Sequence, residues 1–509
     1  MIHVEEKKNI FQHKNVLVVG LARSGTGAAN LLAGLGARVS VTDRKPVSSL
    51  EPYVKTLSPE AKIVSYDRSA EAAESSEMIV VSPGVPLDIP LLAAAIKKGV
   101  PVIGELEVAY QAIQAMGSSA YRRGPLSAPG TEIIGITGTN GKSTTTTLVD
   151  LMLRESGYRT LLGGNIGNAL TEELMKAAGS WLQSAANEGP AGHGLSADYI
   201  VAEISSFQLE TIREFRPGIA AILNITPDHL DRYRSMKDYI KAKERIFENQ
   251  GGEDYLVVNA DDDSVMEMVN RNLQMRRDRM PRLLYFSRKK EVEGMFCKDG
   301  MIRCNPGNAQ VTEQGMHLHS GSIELIRADQ VAIKGVHNLE NAMAASLIAF
   351  IAGCPATDIK RALAQFPGLE HRLEFICEFR GVRFINDSKG TNVGAVMKSL
   401  EDFENVILIM GGLDKGSDFS VLQDLIKKKV KLLIVLGQAK EKILKDLGTS
   451  AETCEAPDLR DAVRVSLSRA SAGDIVMLSP GCASFDMFKD FEDRGRQFKE
   501  AVRQTVNEF

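Results

Sequence analysis

Short apolar runs alternate with helical patterns in the N-terminal part of the chain, and glycine or a polar residue closes each of them. The first apolar run stops at Gly20, and the helical spacing after it stops at Gly36. This pattern predicts strands at residues 16–19, 38–42, 61–64 and 78–81, with a helix at residues 26–35. Strand–helix–strand order is typical of a doubly wound α/β domain, so we expect a parallel sheet here.

The same alternation returns twice further along the chain. In the second block we predict strands at 132–137, 199–202, 219–224 and 255–259, short strands and turns over 282–332, and a helix at 338–352. Gly353 follows that helix at the position where glycine commonly ends one. In the third block, which begins near His371, we predict strands at 382–386, 406–410, 432–436 and 474–478. Polar and glycine residues follow these strands, as the ligand crevice of an open α/β sheet requires.

Two segments are dense in Gly, Ser, Ala and Pro, which is typical of exposed loops. We interpret residues 118–131 as a linker and residues 179–197 as an insertion. The chain is therefore predicted to hold three α/β domains, at residues 1–117, 118–368 and 369–509.

Composition argues against a nucleic-acid-binding, membrane-spanning or secreted protein. Lys and Arg total 61 against 65 Asp and Glu, for a net charge of −4, whereas a nucleic-acid binder needs a cationic face. No apolar run reaches the ~18 residues that span a bilayer, and the N-terminal segment lacks the apolar stretch of a secretory signal. The six cysteines are scattered without a C-x-x-C pair, which favours reduced cytoplasmic thiols.

The most informative motif lies between the predicted strand at 132–137 and a helical run that begins at Thr144. Residues 137–143 read Thr-Gly-Thr-Asn-Gly-Lys-Ser. Glycines let backbone N–H groups wrap around phosphate oxygens, and the following helix N-terminus adds a favourable dipole. Lys142 is expected to reach the β- and γ-phosphates and Ser143 to reach Mg²⁺. Ile136 stands where the usual pattern has its first glycine, but the flanking elements favour a P-loop ATPase-type domain.

Glu203 and Lys243 extend this candidate nucleotide site. Glu203 ends a predicted strand, where a phosphate-loop enzyme places its metal-side acid, although such a residue alone more often faces water. Lys243 falls on the apolar stripe of a helical pattern. Either its stem is buried and its ammonium reaches water, or its neutral amine captures CO₂ and the carbamate binds a second Mg²⁺. His229 is a further candidate metal ligand.

Two other signals are weak when taken alone. The turn at residues 20–25 has Ala22 where a dinucleotide site has its middle glycine, which argues against NAD. Lys415 lies in a Gly-rich segment, where an ordinary solvated turn lysine is the simpler interpretation.

Four motifs resemble those of the Mur ligase family, which builds the peptide stem of bacterial cell-wall precursors. They are the phosphate loop at 137–143, Glu-Ile-Ser-Ser-Phe-Gln-Leu-Glu at 203–210, Asn-Ile-Thr-Pro-Asp-His at 224–229 and His-Asn-Leu-Glu-Asn-Ala at 337–342. The resemblance implies a Rossmann-like N-terminal domain that holds UDP, a central P-loop ATPase-type domain and a Rossmann-like C-terminal domain that binds the incoming amino acid.

The third domain indicates which amino acid that is. Residues 386–392 and 479–495 are similar to the motifs of the family member that adds D-glutamate, with Gly390 and Gly481 in place of alanines. Neither difference removes a polar group, so we expect activity to survive both. The resemblance then implies a cytoplasmic, monomeric, ATP-dependent amide ligase that acts on UDP-N-acetylmuramoyl-L-alanine through an acyl phosphate, with two Mg²⁺ ions and no nucleic-acid or membrane partner.

The resemblance also assigns residues to each ligand. For ATP they are Gly138, Thr139, Asn140, Gly141, Lys142, Ser143, Thr144, Asn338, Asn341, Arg372 and Asp387. For the UDP substrate they are Leu21, Ala22, Asp43, Arg44, Gly84 and Asn165. For D-glutamate they are Lys389, Thr391, Lys415, Ser484, Phe485 and Phe491. The predicted catalytic residues are Lys142, Glu203, His229 and Lys243, with Ser143 and Glu203 on the first Mg²⁺ and His229 and carbamylated Lys243 on the second.

Because these residues are spread over three domains, we expect closure about hinges near residues 118–131 and 367–370. Three alternatives stay open at this point. They are a ligase of the same family that adds another amino acid, a folylpolyglutamate synthase, and a regulatory protein that binds nucleotide without chemistry.

Overall fold

The computed structural model describes residues 9–116, 131–179, 195–229, 232–276, 279–305, 322–401, 403–414 and 416–508. These residues group into two compact units. The first holds residues 1–225, 235–331 and 339–365, and the second holds 226–234, 332–338 and 366–509. Two sheets belong to the first unit and one to the second, which agrees with the predicted three-domain α/β fold class.

The N-terminal domain is a parallel sheet in the order β3-β2-β1-β4-β5. Its strands are β1 Asn15–Val19, β2 Arg38–Thr42, β3 Lys62–Ile63, β4 Met78–Val81 and β5 Val102–Gly104. Its α-helices are Arg23–Gly34, Glu51–Val54, Ser69–Glu74, Pro90–Lys97 and Glu105–Met116, with short 3₁₀ turns at Val47–Ser49 and Tyr66–Arg68. Strand order reverses between β1 and β4, and ligands bind at such a switch point, beyond the carboxyl ends of the strands.

The central domain has a larger sheet in the order β14-β13-β12-β11-β10-β9-β6-β8-β7. Its strands are β6 Glu132–Thr137, β7 Thr160–Gly164, β8 Tyr199–Glu203, β9 Ile219–Ile222, β10 Tyr255–Asn259, β11 Arg282–Ser287, β12 Gly294–Lys298, β13 Met301–Asn305 and β14 Ile323–Arg327. Its helices are Lys142–Glu155, Leu170–Ala177, Ser206–Leu209, Met236–Glu244, Asp263–Arg276, Val336–Ile351 and Ala356–Gln365, with 3₁₀ turns at Arg245–Phe247 and Ala328–Gln330. Strands β12 to β14 form an antiparallel meander, whereas β6 to β12 pair in parallel.

Two buried glutamates join the N-terminal and central domains within the first unit. Glu107 accepts hydrogen bonds from the backbone N–H groups of Arg213 at 2.8 Å and Phe215 at 3.0 Å. Glu105 accepts from the N–H and the hydroxyl of Thr171 at 2.8 and 2.9 Å. Groups of the central domain thus hydrogen-bond both glutamates and anchor the helix Glu105–Met116 against the central sheet, although Glu105 Oε2 has no hydrogen-bond partner among the described residues.

The C-terminal domain is a sheet in the order β15-β16-β20-β17-β18-β19, parallel except at β15. Its strands are β15 Glu374–Phe379, β16 Val382–Asn386, β17 Val406–Gly411, β18 Val430–Leu436, β19 Glu452–Glu455 and β20 Ile475–Leu478. Its helices are Val393–Glu401, Gln423–Lys429, Lys440–Leu447, Leu459–Arg469 and Phe491–Glu508, with a 3₁₀ turn at Ser420–Leu422. An apolar cluster covers each face of this sheet.

Most predicted elements lie within a few residues of the observed ones, and the helix predicted at 338–352 spans Val336–Ile351. Gly353 follows it with a φ of 91°, the left-handed conformation that ends a helix. The helix predicted at 26–35 already begins at Arg23, so half of the glycine-bearing turn at 20–25 belongs to the helix. The predicted linker and insertion lie largely outside the described residues. Among the described helices, none is both long and apolar enough to cross a membrane.

Candidate functional site

The phosphate loop, residues 137–143, connects β6, which lies between β9 and β8 in the central sheet, to the helix Lys142–Glu155. Gly141 immediately precedes this helix with a φ of 85°, a left-handed conformation that favours glycine. A Cβ atom placed on Gly141 would lie only 2.1 Å from Asn341 Oδ1. The loop thus needs glycine here both for its backbone conformation and for the close approach of Asn341.

Asn224 holds the loop from the end of the neighbouring strand β9. Its Oδ1 accepts from Asn140 N at 2.9 Å, and its Nδ2 donates to Asn140 O at 3.0 Å. Asn224 O also accepts from Thr139 N at 2.9 Å. Asn224 was absent from the predicted site residues, although it opens one of the motifs quoted above. Its position at a strand end beside the phosphate loop was the available signal.

Lys142 lies across the phosphate loop. Its Nζ donates to Gly138 O at 2.9 Å and to Thr139 O at 2.8 Å. Ser143, the next residue, is 5% exposed in the first turn of the helix. Positive charge, a helix N-terminus and glycine-rich backbone therefore coincide, which is the arrangement that binds phosphate groups.

Lys243 approaches the same loop from the helix Met236–Glu244. The residue is 1% exposed, so the interpretation in which its ammonium reaches water is wrong. Its Nζ donates to Gly138 O at 2.8 Å and lies 4.7 Å from the ring centre of Tyr239, whose hydroxyl is 3.1 Å from Thr139 Oγ1. Lys243 points inward because it lies on the same helical face as Tyr239 and Ile246, which are buried in the core.

Glu203 ends β8, which pairs with β6 directly before the phosphate loop. The residue is 2% exposed, which rules out a strand-end carboxylate facing water. Its Oε1 accepts from Asn165 Nδ2 at 2.7 Å, whereas Oε2 is buried and has no hydrogen-bond partner among the described residues. A buried carboxylate oxygen left unsatisfied is costly, and a hard divalent cation is the partner that it suits. The residues around the phosphate loop therefore fit Mg²⁺.

His229 belongs to the second unit. It has a φ of 55°, and its backbone N–H donates to Asp228 Oδ1 at 2.9 Å. Its side chain is 45% exposed. Its role as a metal ligand stays a prediction.

The residues predicted to bind UDP lie in the N-terminal domain where its strand order reverses. Leu21 and Ala22 follow β1, Asp43 and Arg44 follow β2, and Gly84 follows β4. Asp43 Oδ2 accepts a hydrogen bond from Leu21 N at 2.7 Å, and this bond links the turn after β1 to the turn after β2.

Asn165, also predicted to contact the UDP substrate, lies instead in the loop after β7 in the central domain. The same loop carries Asn168, whose Oδ1 accepts from Arg23 Nη2 at 2.5 Å. Arg23 begins the first helix of the N-terminal domain. Through this contact the loop with Asn165 adjoins the turn that follows β1.

Asn338 and Asn341, predicted to contact adenine, both lie on the helix Val336–Ile351. Asn341 is buried beside the phosphate loop, and its Oδ1 accepts from Thr145 Oγ1 at 3.4 Å. Asn338 donates to Lys334 O at 2.8 Å. The structure thus gives Asn341 a role in packing the phosphate loop.

Asp387, a predicted ATP residue, follows β16 in the C-terminal domain. Its Oδ2 accepts from Ser399 Oγ at 2.6 Å and from Ser479 Oγ at 2.7 Å. Burial raises the pKa of Asp387 to about 6, although these hydroxyls and the charge of Arg372 act in the opposite direction. The carboxyl group therefore titrates near neutral pH and ties the ends of β16 and β20 together.

The residues predicted to bind D-glutamate lie in the loops after β16 and β20 and on the following helix. Lys389 Nζ is 3.8 Å from the ring centre of Phe491. Ser484 is buried and Thr391 is half-buried, whereas Phe485 is 65% exposed. Lys415 lies outside the described residues.

A second group of metal-ligating side chains, Glu370, His371 and Glu374, occurs in the C-terminal domain among the described residues. Lys499 Nζ donates to Glu374 Oε1 at 3.0 Å and also bonds Glu370. Because the Lys499 ammonium group already bridges both carboxylates, we assign this cluster a structural role.

Three family models match the chain in succession. They describe a Mur ligase MurD-like N-terminal domain at residues 14–104, a Mur ligase middle domain at 136–349 and a Mur ligase glutamate ligase domain at 371–482. Curated relatives include UDP-N-acetylmuramoylalanine–D-glutamate ligases from Pelobacter propionicus, 41% identical over 96% of this chain and 98% of the relative, and Geotalea daltonii, 43% identical over 96% and 97%.

Solved structures with the same fold include UDP-N-acetylmuramate-alanine ligase MurC from Thermotoga maritima, with a TM-score of 0.54 at 17% identity and coverage of 97% of this chain and 100% of that chain. MurF from Acinetobacter baumannii has a TM-score of 0.55 at 17% identity, covering 96% of this chain and 93% of that chain. At this identity the structural likeness concerns the fold alone.

Proposed function

The chain belongs to the Mur ligase family, and we propose that it is the member that joins D-glutamate to UDP-N-acetylmuramoyl-L-alanine with cleavage of ATP. The curated relatives that carry this activity in their names match nearly the whole chain. In the structure, the observation that carries the proposal is the orphaned oxygen of Glu203 beside a phosphate loop that two lysines contact.

Amide formation from a carboxylate and an amine is unfavourable in water, so the carboxylate must first be activated. The carboxylate of the UDP substrate attacks the γ-phosphorus of ATP, ADP leaves, and an acyl phosphate results. Lys142 and the N–H groups of the phosphate loop stabilise the charge on the transferred group, which is the main task of the protein in phosphoryl transfer.

Mg²⁺ supplies charge neutralisation and a fixed orientation of the phosphates when it is bound. Ser143 and Glu203 would hold one ion, and His229 and carbamylated Lys243 would hold a second. Asn165 orients the carboxylate of Glu203 by bonding one of its two oxygens.

The burial of Lys243 favours its carbamylation. The buried amino group exchanges its hydration for the carbonyl oxygen of Gly138 and the ring of Tyr239, and carbamylation would remove its positive charge from the interior. The neutral amine attacks CO₂, an N–C bond forms, and one proton passes to solvent. The product would be an anionic oxygen donor carried by a nitrogen that now lies 2.8 Å from Gly138 O.

The acyl phosphate is then attacked by the amine of D-glutamate, and inorganic phosphate leaves. D-glutamate carries two carboxylates, and we assign them to Lys389, Thr391, Lys415 and Ser484, with Phe485 and Phe491 beside them. Closure about residues 118–131 and 367–370 would exclude the water that otherwise hydrolyses the acyl phosphate. We further propose that the protein acts as a cytoplasmic monomer on peptidoglycan precursors.

An assay of ADP release by the purified protein tests this function. With UDP-N-acetylmuramoyl-L-alanine, ATP and Mg²⁺ present, D-glutamate is expected to support turnover, while L-alanine, L-lysine and diaminopimelate are not. Turnover with one of these other amino acids would identify a different ligase of the family. Turnover only with a folate substrate would indicate a polyglutamate synthase. Nucleotide binding without ADP release would indicate a regulatory protein.

A further inference from the structure

Arg494 is an arginine buried in the C-terminal domain. It lies in the first turn of the helix Phe491–Glu508 and is only 1% exposed, which is rare for this residue type. It was not among the predicted site residues. A buried guanidinium must satisfy its donors within the protein, so its partners indicate what it does.

Its planar fork bonds two separate loops. Nε donates to Ser388 Oγ at 3.0 Å and Nη2 to Ser388 O at 2.8 Å, in the loop after β16. Nη1 donates to Cys482 O at 3.1 Å and Ala483 O at 3.3 Å, in the loop after β20. Ser388 Oγ in turn donates to Phe491 O at 2.8 Å, which closes the network on the helix of Arg494.

A third loop, which follows β17, contacts both Ala483 and Arg494. Leu413 N donates to Ala483 O at 2.9 Å, and Ala483 N donates to Leu413 O at 3.1 Å. A Cβ atom placed on Gly412 would lie 2.2 Å from Ala483 O and 3.1 Å from Arg494 Nη1. The loop after β17 is therefore packed closely against both Ala483 and Arg494.

The charge of Arg494 is not neutralised by a direct ion pair. Among the described residues, its hydrogen bonds all go to carbonyl and hydroxyl oxygens, and no carboxylate forms a salt bridge with it. Burial lowers its pKa to about 10, so the group is still cationic at neutral pH. Its four hydrogen bonds all go to the loops after β16 and β20, and the carboxylates of Asp387 and Asp486 stabilise its charge without a direct ion pair.

We propose that Arg494 is a positioning residue for the incoming amino acid, because it sets the spacing of the three loops that follow β16, β17 and β20. The loops after β16 and β20 carry Thr391 and Ser484, and the loop after β17 bonds Ala483, the residue directly before Ser484. The inference rests on the proposed function, which assigns the carboxylates of D-glutamate to these residues. Arg494 itself acts through the loops.

A lysine at position 494 could not form the same set of hydrogen bonds. Arg494 reaches four oxygen atoms from three nitrogen atoms in one plane, whereas an ammonium group presents its donors from a single point. Arg494→Lys keeps the positive charge and loses the fork, and Arg494→Met loses both. A positioning role predicts that both substitutions loosen the amino-acid pocket, whereas a role of the charge alone predicts that lysine suffices.

Steady-state kinetics of the full-length protein test the proposal. With the other substrates saturating, we expect the KM for D-glutamate to rise about tenfold or more in Arg494→Lys and Arg494→Met, while the KM values for ATP and the UDP substrate change by less than about twofold. Phe498→Leu is the matched control. Phe498 is fully buried one turn along the same helix, in the apolar cluster that contains Phe384. This variant is expected to lower the melting temperature and leave the KM for D-glutamate unchanged.

An unchanged KM for D-glutamate in folded Arg494→Lys would overturn the proposal, as would an equal rise in all three KM values. If Arg494→Met does not fold, Arg494→Lys decides alone, with its melting temperature compared with that of Phe498→Leu. Failure of the proposed function would look different, since the wild-type protein would then not use D-glutamate at all. The same KM comparison would in that case be made with the amino acid that it does use.

Discussion

Lys243 Nζ and the carbonyl oxygen of Gly138 are joined by a hydrogen bond of 2.8 Å in the interior of the central domain. Lys142 Nζ reaches the same oxygen at 2.9 Å. Two amino groups thus converge on the first glycine of the phosphate loop, one from the helix that follows the loop and one from a helix about a hundred residues later. This convergence places Lys243 in direct contact with the phosphate loop, which supports its proposed role there.

Lys243→Ala is expected to abolish ligation, with kcat reduced about 10³-fold or more, because the variant loses the proposed carbamate ligand. A short-chain carboxylic acid in excess should restore part of the activity by placing a carboxylate where the carbamate would lie. Lys241→Ala on the same helix is the control, since Lys241 is exposed and should tolerate the change. Full activity of Lys243→Ala would contradict the carbamate proposal.

Glu203→Gln is expected to weaken Mg²⁺ binding, because an amide is a poorer ligand than a carboxylate for a hard cation. We expect the Mg²⁺ concentration for half-maximal activity to rise and kcat to fall about 10²-fold. Direct binding of Mn²⁺, followed by electron paramagnetic resonance in the presence of ATP, separates this effect from general loss of activity. Unaltered Mn²⁺ affinity in the variant would remove Glu203 from the metal site.

Asn165→Ala tests how Glu203 is oriented. The substitution removes the 2.7 Å hydrogen bond to Oε1, so the carboxylate gains freedom to rotate. We expect a weaker version of the Glu203→Gln phenotype in Mn²⁺ binding, in addition to any change in the KM for the UDP substrate. A change confined to that KM, with Mn²⁺ affinity intact, would assign Asn165 to substrate contact alone.

The strands of the N-terminal and C-terminal domains could be predicted closely, because buried parallel strands are continuous apolar runs bounded by turn residues. The strand predicted at 78–81 coincides with Met78–Val81, and that predicted at 406–410 lies within Val406–Gly411, and both strands are buried along their whole length. The meander of β12 to β14 could not be placed, since only β13 alternates between buried and half-buried residues, whereas β12 and β14 mix buried and more exposed residues without a regular period.

The site itself could be predicted only in part. The apolar stripe indicated that Lys243 points inward, but its contact with Gly138 joins residues 105 positions apart and leaves no local pattern. Asn224 and Arg494 act mainly through backbone atoms of other loops, and these partners are invisible until the chain has folded. Glu203 taken alone was ambiguous, because a polar residue at a strand end carries no signal for which elements cover it, and only the phosphate loop nearby in the predicted sheet favoured the metal-side interpretation over exposure to water.

Gly141→Ala is expected to impair ATP binding and stability together. The added methyl group meets Asn341 Oδ1 at 2.1 Å, in a backbone conformation with a φ of 85°. Gly157→Ala is a close control, because Gly157 has a φ of 81° and nothing within 4 Å of its added Cβ. Strain from positive φ costs of the order of 1–3 kcal/mol in both variants, so only Gly141→Ala should also lose nucleotide affinity. Calorimetric titration with ATP and thermal unfolding measure the two effects, and equal ATP affinity in both variants would contradict the prediction.

Asp387→Asn is expected to change how stability depends on pH. Burial raises the pKa of Asp387 from 3.8 to about 6, so between these values the folded state binds more protons than the unfolded state. The contribution of the protonated carboxyl is complete below about pH 4 and is lost as the pH rises through about 6. Asparagine cannot ionise, so the free energy of unfolding of the variant relative to wild type should increase between pH 4 and 6, by at most about 3 kcal/mol.

Urea unfolding of Asp387→Asn and wild type at several pH values measures this difference. Asp418→Asn provides a control of opposite sign, because hydrogen bonds from the hydroxyl and N–H of Ser420 lower the pKa of Asp418. In that variant the stability relative to wild type should fall as the pH rises through the range where carboxyl groups titrate. Parallel pH profiles for Asp387→Asn and wild type would show that Asp387 titrates normally, and that the hydroxyls of Ser399 and Ser479 compensate for its burial.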